Sequence, residues 1–324
     1  MDFKISPILT SQQLLDKAFR KASKKSKEGA TREESTKKTN SAKLNTVAHT
    51  LEDTLKRYEE EFPSIDVLPE FYNEIIDIMV GIDELKKSIG AVNWAKRRTK
   101  RILMESARNL MKKETVEEME QIRRQAYGRT SSILNQIDED LRFLAECRKK
   151  LNSLPDIRTD IPTVVVAGYP NVGKSLLVSK ISSGKPKVAV YPFTTKEVGI
   201  GHFQLARHKC QLLDTPGLLD RPSEERNNIE KQAVNALESL ADLILFLYDP
   251  SGTCGYPLED QEALADELKE SFPKVKFIEI DNKSDIEEKE NQRLHISALE
   301  EDNLDELMEL IKEGLNYKYD LQNS

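Results

Sequence analysis

Gly168-Tyr169-Pro170-Asn171-Val172-Gly173-Lys174-Ser175 follows directly on the β-branched run Thr163–Ala167 and leads into a helical pattern from Lys174 to Ile181. The spacing is G-x-x-x-x-G-K-[ST], and a strand before it with a helix after it is the context that a phosphate-cradling loop requires. Glycines let backbone N–H groups curl around a phosphate, the helix directs its dipole there, and the ammonium of Lys174 reaches the phosphate oxygens. Ser175 is placed to offer its hydroxyl oxygen to Mg²⁺, and Leu176 follows in the first turn among the nucleotide contacts. A glycine turn with a purely structural role would leave Lys174 without a purpose.

Working toward the C-terminus, apolar runs at Leu243–Tyr248, Val275–Ile280 and Arg293–Ile296 alternate with helical stretches at Ser223–Leu240, Leu258–Lys269 and Leu304–Leu315. Strands alternating with helices predict a mainly parallel sheet with helices on both faces. His202–Ala206 and Cys210–Leu213 are separated by only a few residues, so they are expected to form an antiparallel hairpin at one edge.

Four further elements fall on the loops of that pattern. Pro192-Phe193-Thr194-Thr195 lies about twenty residues beyond the phosphate loop, and one threonine, Thr195 by pattern, is expected to complete the Mg²⁺ shell. Asp214-Thr215-Pro216-Gly217 fits D-x-x-G, in which the aspartate holds the metal through water and the Gly217 N–H senses a γ-phosphate; losing that phosphate frees the loop. Asn282-Lys283-Ser284-Asp285 fits N-K-x-D. The carboxylate of Asp285 can accept from both N1–H and the 2-amino group of guanine, whereas adenine offers neither donor and would leave a charge unpaired. Ser297-Ala298-Leu299 supplies the last loop, with the Ala298 N–H expected at the guanine 6-oxo group. Taken together the five elements predict a P-loop G domain that binds GTP or GDP with Mg²⁺ and hydrolyses GTP. Lys174, Thr195, Gly217 and Asn171 are the expected catalytic positions. Leu218, Leu219 and Asp220 follow Gly217 where a water-orienting glutamine could stand, so slow turnover is expected. Asn171 resembles the asparagine of GTPases in which K⁺ supplies positive charge beside the phosphates.

Toward the N-terminus, Leu154-Pro155 to Ile161-Pro162 breaks the preceding helix, because proline disfavours helix at itself and at the residue before it. The expected domains are therefore 1–155 and 156–324. Residues 11–154 are poor in glycine and proline, with apolar residues three and four apart, and predict an all-α bundle. One stripe runs from Phe71 to Leu85, and the longest runs from Met119 to Leu154 as a single face. Ala22 to Asn40 lacks a stripe and reads as a basic loop. Trp94, among Ala91, Val92 and Ala95, reads as a core residue, with stacking on an RNA base as the alternative.

Charge separates the two halves: residues 1–155 hold 30 basic and 25 acidic side chains, residues 156–324 hold 19 and 31. Lys17 to Lys43 has ten basic residues against three acidic, and Lys86 to Lys113 ten against one. Such blocks can neutralise phosphates. Three scattered cysteines, no run of the ~20 apolar residues that a membrane span needs, and no apolar leader at Met1 predict a cytoplasmic protein without a membrane partner.

The wording around the motifs narrows the class. Gly168 to Ser175, then Tyr191-Pro192-Phe193-Thr194-Thr195-Lys196, then Asp214-Thr215-Pro216-Gly217-Leu218-Leu219-Asp220-Arg221-Pro222, resembles the Obg class, and within it the nucleolar GTP-binding protein (Nog) subfamily. Glu225-Arg226-Asn227-Asn228-Ile229-Glu230, Tyr248-Asp249-Pro250-Ser251-Gly252-Thr253-Cys254-Gly255 and Leu151-Asn152-Ser153-Leu154-Pro155 carry the same resemblance. The resemblance implies a helical N-terminal domain that packs on ribosomal RNA. It also implies a GTPase that acts with other assembly factors on the large ribosomal subunit precursor. The chain stops about ten residues after Leu315, so it resembles a short, archaeal-type form. Two other readings stay open: a switch whose helical domain binds a protein, and an ATPase, against which Asn282 to Asp285 argues.

Overall fold

The computed structural model describes residues 3–190 and 197–319, which cluster into two compact units. The first comprises Phe3–Val67 and Val80–Asn152 and is all helical. Its helices are α1 (Ser11–Ser23), α2 (Arg32–Glu61), α4 (Ile82–Leu110), α5 (Val116–Gln136) and α6 (Asp138–Asn152), with α3 (Glu70–Val80) falling almost wholly outside it. Leu44, Val47, Leu51 and Leu55 of α2 and Leu85, Val92, Leu103 and Leu110 of α4 are at most 1% exposed, so the two long helices bury one stripe each in a common core. Each such leucine or valine contributes about 1.5–3 kcal/mol relative to remaining in water.

Four expectations change here. The segment read as a basic loop is helical from Arg32 onward: Thr31 caps the helix by accepting from the Glu34 N–H, and Glu33 and Glu34 complement its dipole. Ser35 and Thr39 then hold the preceding loop, both hydroxyls donating to the Lys27 carbonyl at 2.9 and 3.1 Å. The stripe from Phe71 to Leu85 is two helices, broken at Gly81 with φ +75°. The long last helix is likewise two, interrupted at Ile137 (φ −103°, ψ 13°). Trp94 is 47% exposed and is not a core residue; Ala95 beside it is the buried one.

The second unit comprises Leu68–Met79 and the chain from Ser153. Residues 68–79, read from sequence as part of the helical domain, thus group with the sheet. Tyr72 shows how: its hydroxyl donates to the Ile157 carbonyl at 2.6 Å, and burial pushes its pKa upward.

The sheet has seven strands in the order β2-β3-β4-β1-β5-β6-β7. They are β1 (Thr163–Ala167), β2 (Lys187–Val190), β3 (Glu197–Leu205), β4 (His208–Asp214), β5 (Leu243–Tyr248), β6 (Lys276–Asp281) and β7 (Leu294–His295). Pairing is parallel from β4 through β7 and antiparallel at the β2-β3-β4 edge. The predicted hairpin is β3–β4, turning at Ala206; the third edge strand, β2, was not anticipated. Helices α7 (Lys174–Ile181), α8 (Asn228–Glu238), α9 (Leu258–Ser271) and α10 (Leu304–Tyr319) cover both faces. All residues of β1 and β5 are buried, as strands covered on both faces must be. After β1 the chain builds one side of the sheet and then crosses to the other with β5. The crevice at the C-terminal end of β1 is the place where such sheets bind ligands.

Candidate nucleotide site

The loop between β1 and α7 needs two glycines for reasons the geometry makes explicit. Gly168 has φ +132°, and a Cβ there would lie 2.5 Å from the Leu247 carbonyl oxygen. Gly173 has φ +103°, and a Cβ there would lie 2.3 Å from Nδ2 of Asn282. Asn171 also takes a positive φ, +64°, at the exposed tip. Lys174 is 6% exposed, and its ammonium folds back to donate to the Gly168 and Tyr169 carbonyls, both at 2.7 Å. Tyr169 is buried against Tyr256, ring centroids 4.3 Å apart.

Ser175 donates its hydroxyl to Oδ2 of Asp214. Asp214 is 4% exposed, burial raises its pKa against the lowering influence of Ser175 and Lys174, and its Oδ1 is buried with no hydrogen-bond partner. A buried carboxylate oxygen without a partner, beside a serine hydroxyl, is the chemistry that a hard divalent cation satisfies. The residues present therefore fit Mg²⁺. Among the described residues no group of three or more His, Cys, Asp or Glu side chains could hold a metal, as expected where phosphate and water supply most ligands. Thr194 and Thr195 lie outside the described residues.

Beyond Asp214, the Gly217 N–H donates to Oδ2 of Asp220 at 2.7 Å, with Gly217 at φ +84°. Leu218 and Leu219 are fully buried, so neither faces the crevice. The Leu219 carbonyl accepts from the Gly168 N–H at 3.2 Å, joining this loop to the phosphate loop. Farther on, Arg221 pairs with Glu230 at 2.9 Å, and the Ser223 N–H donates to Glu267 at 2.8 Å.

Asn282 is the keystone of the base end. It is 2% exposed; its Nδ2 donates to the Val172 carbonyl at 2.8 Å, and its Oδ1 accepts from the Ala298 N–H at 3.0 Å. One amide thus ties the phosphate loop to the last loop. Ser297 donates to Oδ1 of Asp285 at 2.5 Å, fixing the carboxylate with its other oxygen unclaimed by that bond. Lys283, at φ +65°, pairs with Asp249 at 2.6 Å and donates to Thr253 at 2.8 Å. Burial would raise the Asp249 pKa, yet the bonds from Lys283, Ser251 and Thr253 hold it below the usual carboxylate range. Leu176 and Leu299, 39% and 61% exposed, stand at the rim.

Asp220, Asp249 and Tyr256 were not singled out from sequence as site residues. Asp249 stood in a stretch quoted only for its resemblance, and the signal that could have found it was the need of Lys283 for a counter-charge.

Residues 3–158 match the family model for the NOG1 N-terminal helical domain, and residues 228–285 match that for nucleolar GTP-binding protein 1. The uncharacterized protein MJ1408 of Methanocaldococcus jannaschii is 40% identical over 89% of this chain and 81% of its own length. Nucleolar GTP-binding protein 1 of Drosophila melanogaster is 34% identical over 77% of this chain, but the match spans only 39% of that longer protein. A solved structure assigned to nucleolar GTP-binding protein 1 of Plasmodium falciparum is 30% identical, covering 51% of this chain and 91% of its own, with a TM-score of 0.45.

Proposed function

The chain belongs to the Nog-type GTPase family, and from that premise we propose that it is a GTP-hydrolysing switch. In this reading it acts in the cytoplasm as an assembly factor for the large ribosomal subunit and docks on ribosomal RNA through its helical unit. One observation carries the reading: a crevice in which Ser297 holds the Asp285 carboxylate is built into the same chain as a helical unit that matches the NOG1 N-terminal domain along its length. No helix among the described residues is long and apolar enough to cross a membrane.

In this function Lys174 leaves its two carbonyl partners to reach the phosphates, and the N–H groups of Gly173 and Lys174 at the start of α7 face the β-phosphate. Ser175 and Asp214, with Thr195 in the GTP state, would hold Mg²⁺, which would neutralise phosphate charge. Asp285 reads guanine, held by Ser297, while Asn282 keeps the Ala298 N–H in place for the 6-oxo group. The Gly217 N–H exchanges the Asp220 carboxylate for the γ-phosphate, and that exchange is the switch. Since Leu218 and Leu219 are buried, no side chain directly after Gly217 orients the attacking water, and Asn171 would be the residue that holds K⁺, which would supply positive charge beside the phosphates.

Calorimetric titration with GTP, GDP and ATP, followed by turnover assays in KCl and in NaCl, tests this reading. Micromolar or tighter binding of the guanine nucleotides only, with faster turnover in KCl, is expected. Equal binding of ATP would refute guanine specificity, and equal rates in the two salts would remove K⁺.

A further inference from the structure

Helix α4 divides its basic residues by use. Lys96 pairs with Glu59, Lys100 with Glu52 at 2.6 Å, and Lys86 with Asp66 at 2.8 Å, so these lysines are committed to holding the bundle. Arg97 and Arg101 make no ion pair among the described residues and stand exposed. They follow Trp94 one and two turns along the helix, and Trp94 is 47% exposed on the side of α4 away from the buried stripe Val92, Ala95, Thr99 and Ile102. Gly90, Asn93, Trp94, Arg97, Arg98 and Arg101 line a cleft of about 400 Å³. That volume lies in the range of sites for small organic groups.

Two details point to an occupant. Gly90 sits one turn before Trp94 inside an exposed helix, where glycine costs about 1 kcal/mol relative to alanine. A Cβ there would meet nothing within 4 Å, and its φ is not among the positive ones, so neither packing nor backbone conformation requires the glycine. What it does is leave the approach to the indole uncovered. Asn93, which also lines the cleft, has an Oδ1 that is buried with no hydrogen-bond partner, so that oxygen does not lock the amide, which can turn to meet a base edge. An open aromatic face, unpaired guanidinium groups one and two turns further along the helix and an unsatisfied amide are together complementary to a stacked base with its adjoining phosphates.

We propose that this cleft binds an unpaired RNA nucleotide, its base stacked on Trp94, its phosphates met by Arg97 and Arg101, and its edge contacted by Asn93. The proposal rests on the reading that the helical unit docks on RNA, and it names the part of the RNA that is recognised: a looped-out or single-stranded base, since a duplex offers no free base face.

Trp94 is the single tryptophan of the chain, so its fluorescence reports stacking without ambiguity. The full chain is titrated with a single-stranded RNA oligonucleotide of mixed sequence, with its duplex form, with a large-subunit ribosomal RNA transcript, and with an acidic peptide. Quenching by the single strand and the transcript, and not by the duplex or the peptide, is expected. Trp94→Ala should weaken single-strand binding about 5- to 150-fold, the range spanned by loss of one stacked base. Gly90→Gln should abolish quenching while the melting temperature holds or rises, which separates an occupied cleft from a merely structural helix face. Arg97→Ala with Arg101→Ala should flatten the log–log salt slope by about 1.4. Transcript binding without quenching and unchanged by Trp94→Ala would overturn the proposal while leaving RNA docking intact. Quenching by the single strand with no transcript binding would support the cleft and refute the ribosomal reading. Quenching by the peptide alone would overturn the proposal in favour of a protein partner.

Discussion

Asp285 and Asp220 are both loop aspartates of the crevice, yet they are held differently: one accepts from a serine hydroxyl and the other from a backbone N–H. Asp285 is held by Ser297 for a ligand, and Asp285→Ala should cost GDP at least about a hundredfold in affinity while leaving weak ATP binding unchanged, because only guanine loses two donors' partner. Asp220, 3% exposed, already occupies the Gly217 N–H. Asp220→Asn removes a negative charge from the place where the γ-phosphate must arrive, so the preference for a non-hydrolysable GTP analogue over GDP should rise about tenfold in paired calorimetric titrations. Asp249 acts at one remove, by fixing Lys283. Its folded pKa is depressed, so its stabilisation is fully present above the ordinary carboxylate range and is lost as pH falls through the lower folded value. Urea unfolding of Asp249→Asn should show a loss of about 1–2 kcal/mol at pH 7, discounted for the partial exposure of Lys283, with the difference from wild type vanishing once the pH falls below the depressed folded value. The five motifs could be proposed from sequence because a nucleotide would fix their spacing, and four of them fall within the described residues. Asp220 and Asp249 could not, because they answer needs of the loops, and nothing in spacing advertises an internal partner.

At the scale of elements, apolar periodicity located most helices and strands but overlooked their interruptions. The stripe from Phe71 to Leu85 runs through Gly81 without losing phase, so only the backbone reveals that the chain there takes φ +75°. Gly81→Ala has open space for its methyl group and should destabilise the chain by about 1 kcal/mol in thermal unfolding, from the left-handed backbone alone. The break at Ile137 was equally hidden, since Ile133, Ile137 and Leu141 keep one face. Strand β2 was missed because a four-residue edge strand carries too little alternation to read. In the phosphate loop the constraint is steric as well as conformational. A Gly173→Ala methyl would press on Asn282, the side chain that joins the two ends of the crevice, and nucleotide binding should fall below detection in equilibrium dialysis while the helical unit's circular dichroism persists.

For the whole molecule, the separation of charge along the sequence matches the separation into two units: the acidic, sheet-bearing unit holds the nucleotide crevice and the basic, helical unit holds the unpaired arginines. Prolines mark a break near residue 155 in the sequence, but nothing there marks the return of residues 68–79 to the sheet-bearing unit. Local pattern cannot show a helix that leaves its neighbours in sequence to pack elsewhere. A switch of this kind couples two free energies, and a ligand shifts binding only by its differential affinity for two states. The most direct test is co-sedimentation of the full chain with large ribosomal subunits and their precursors, comparing a non-hydrolysable GTP analogue with GDP across a salt series. The account predicts binding that is favoured by the analogue and weakens steeply with salt. Binding to the precursors that is equal in both nucleotide states and indifferent to salt, or no binding in either state, would contradict it.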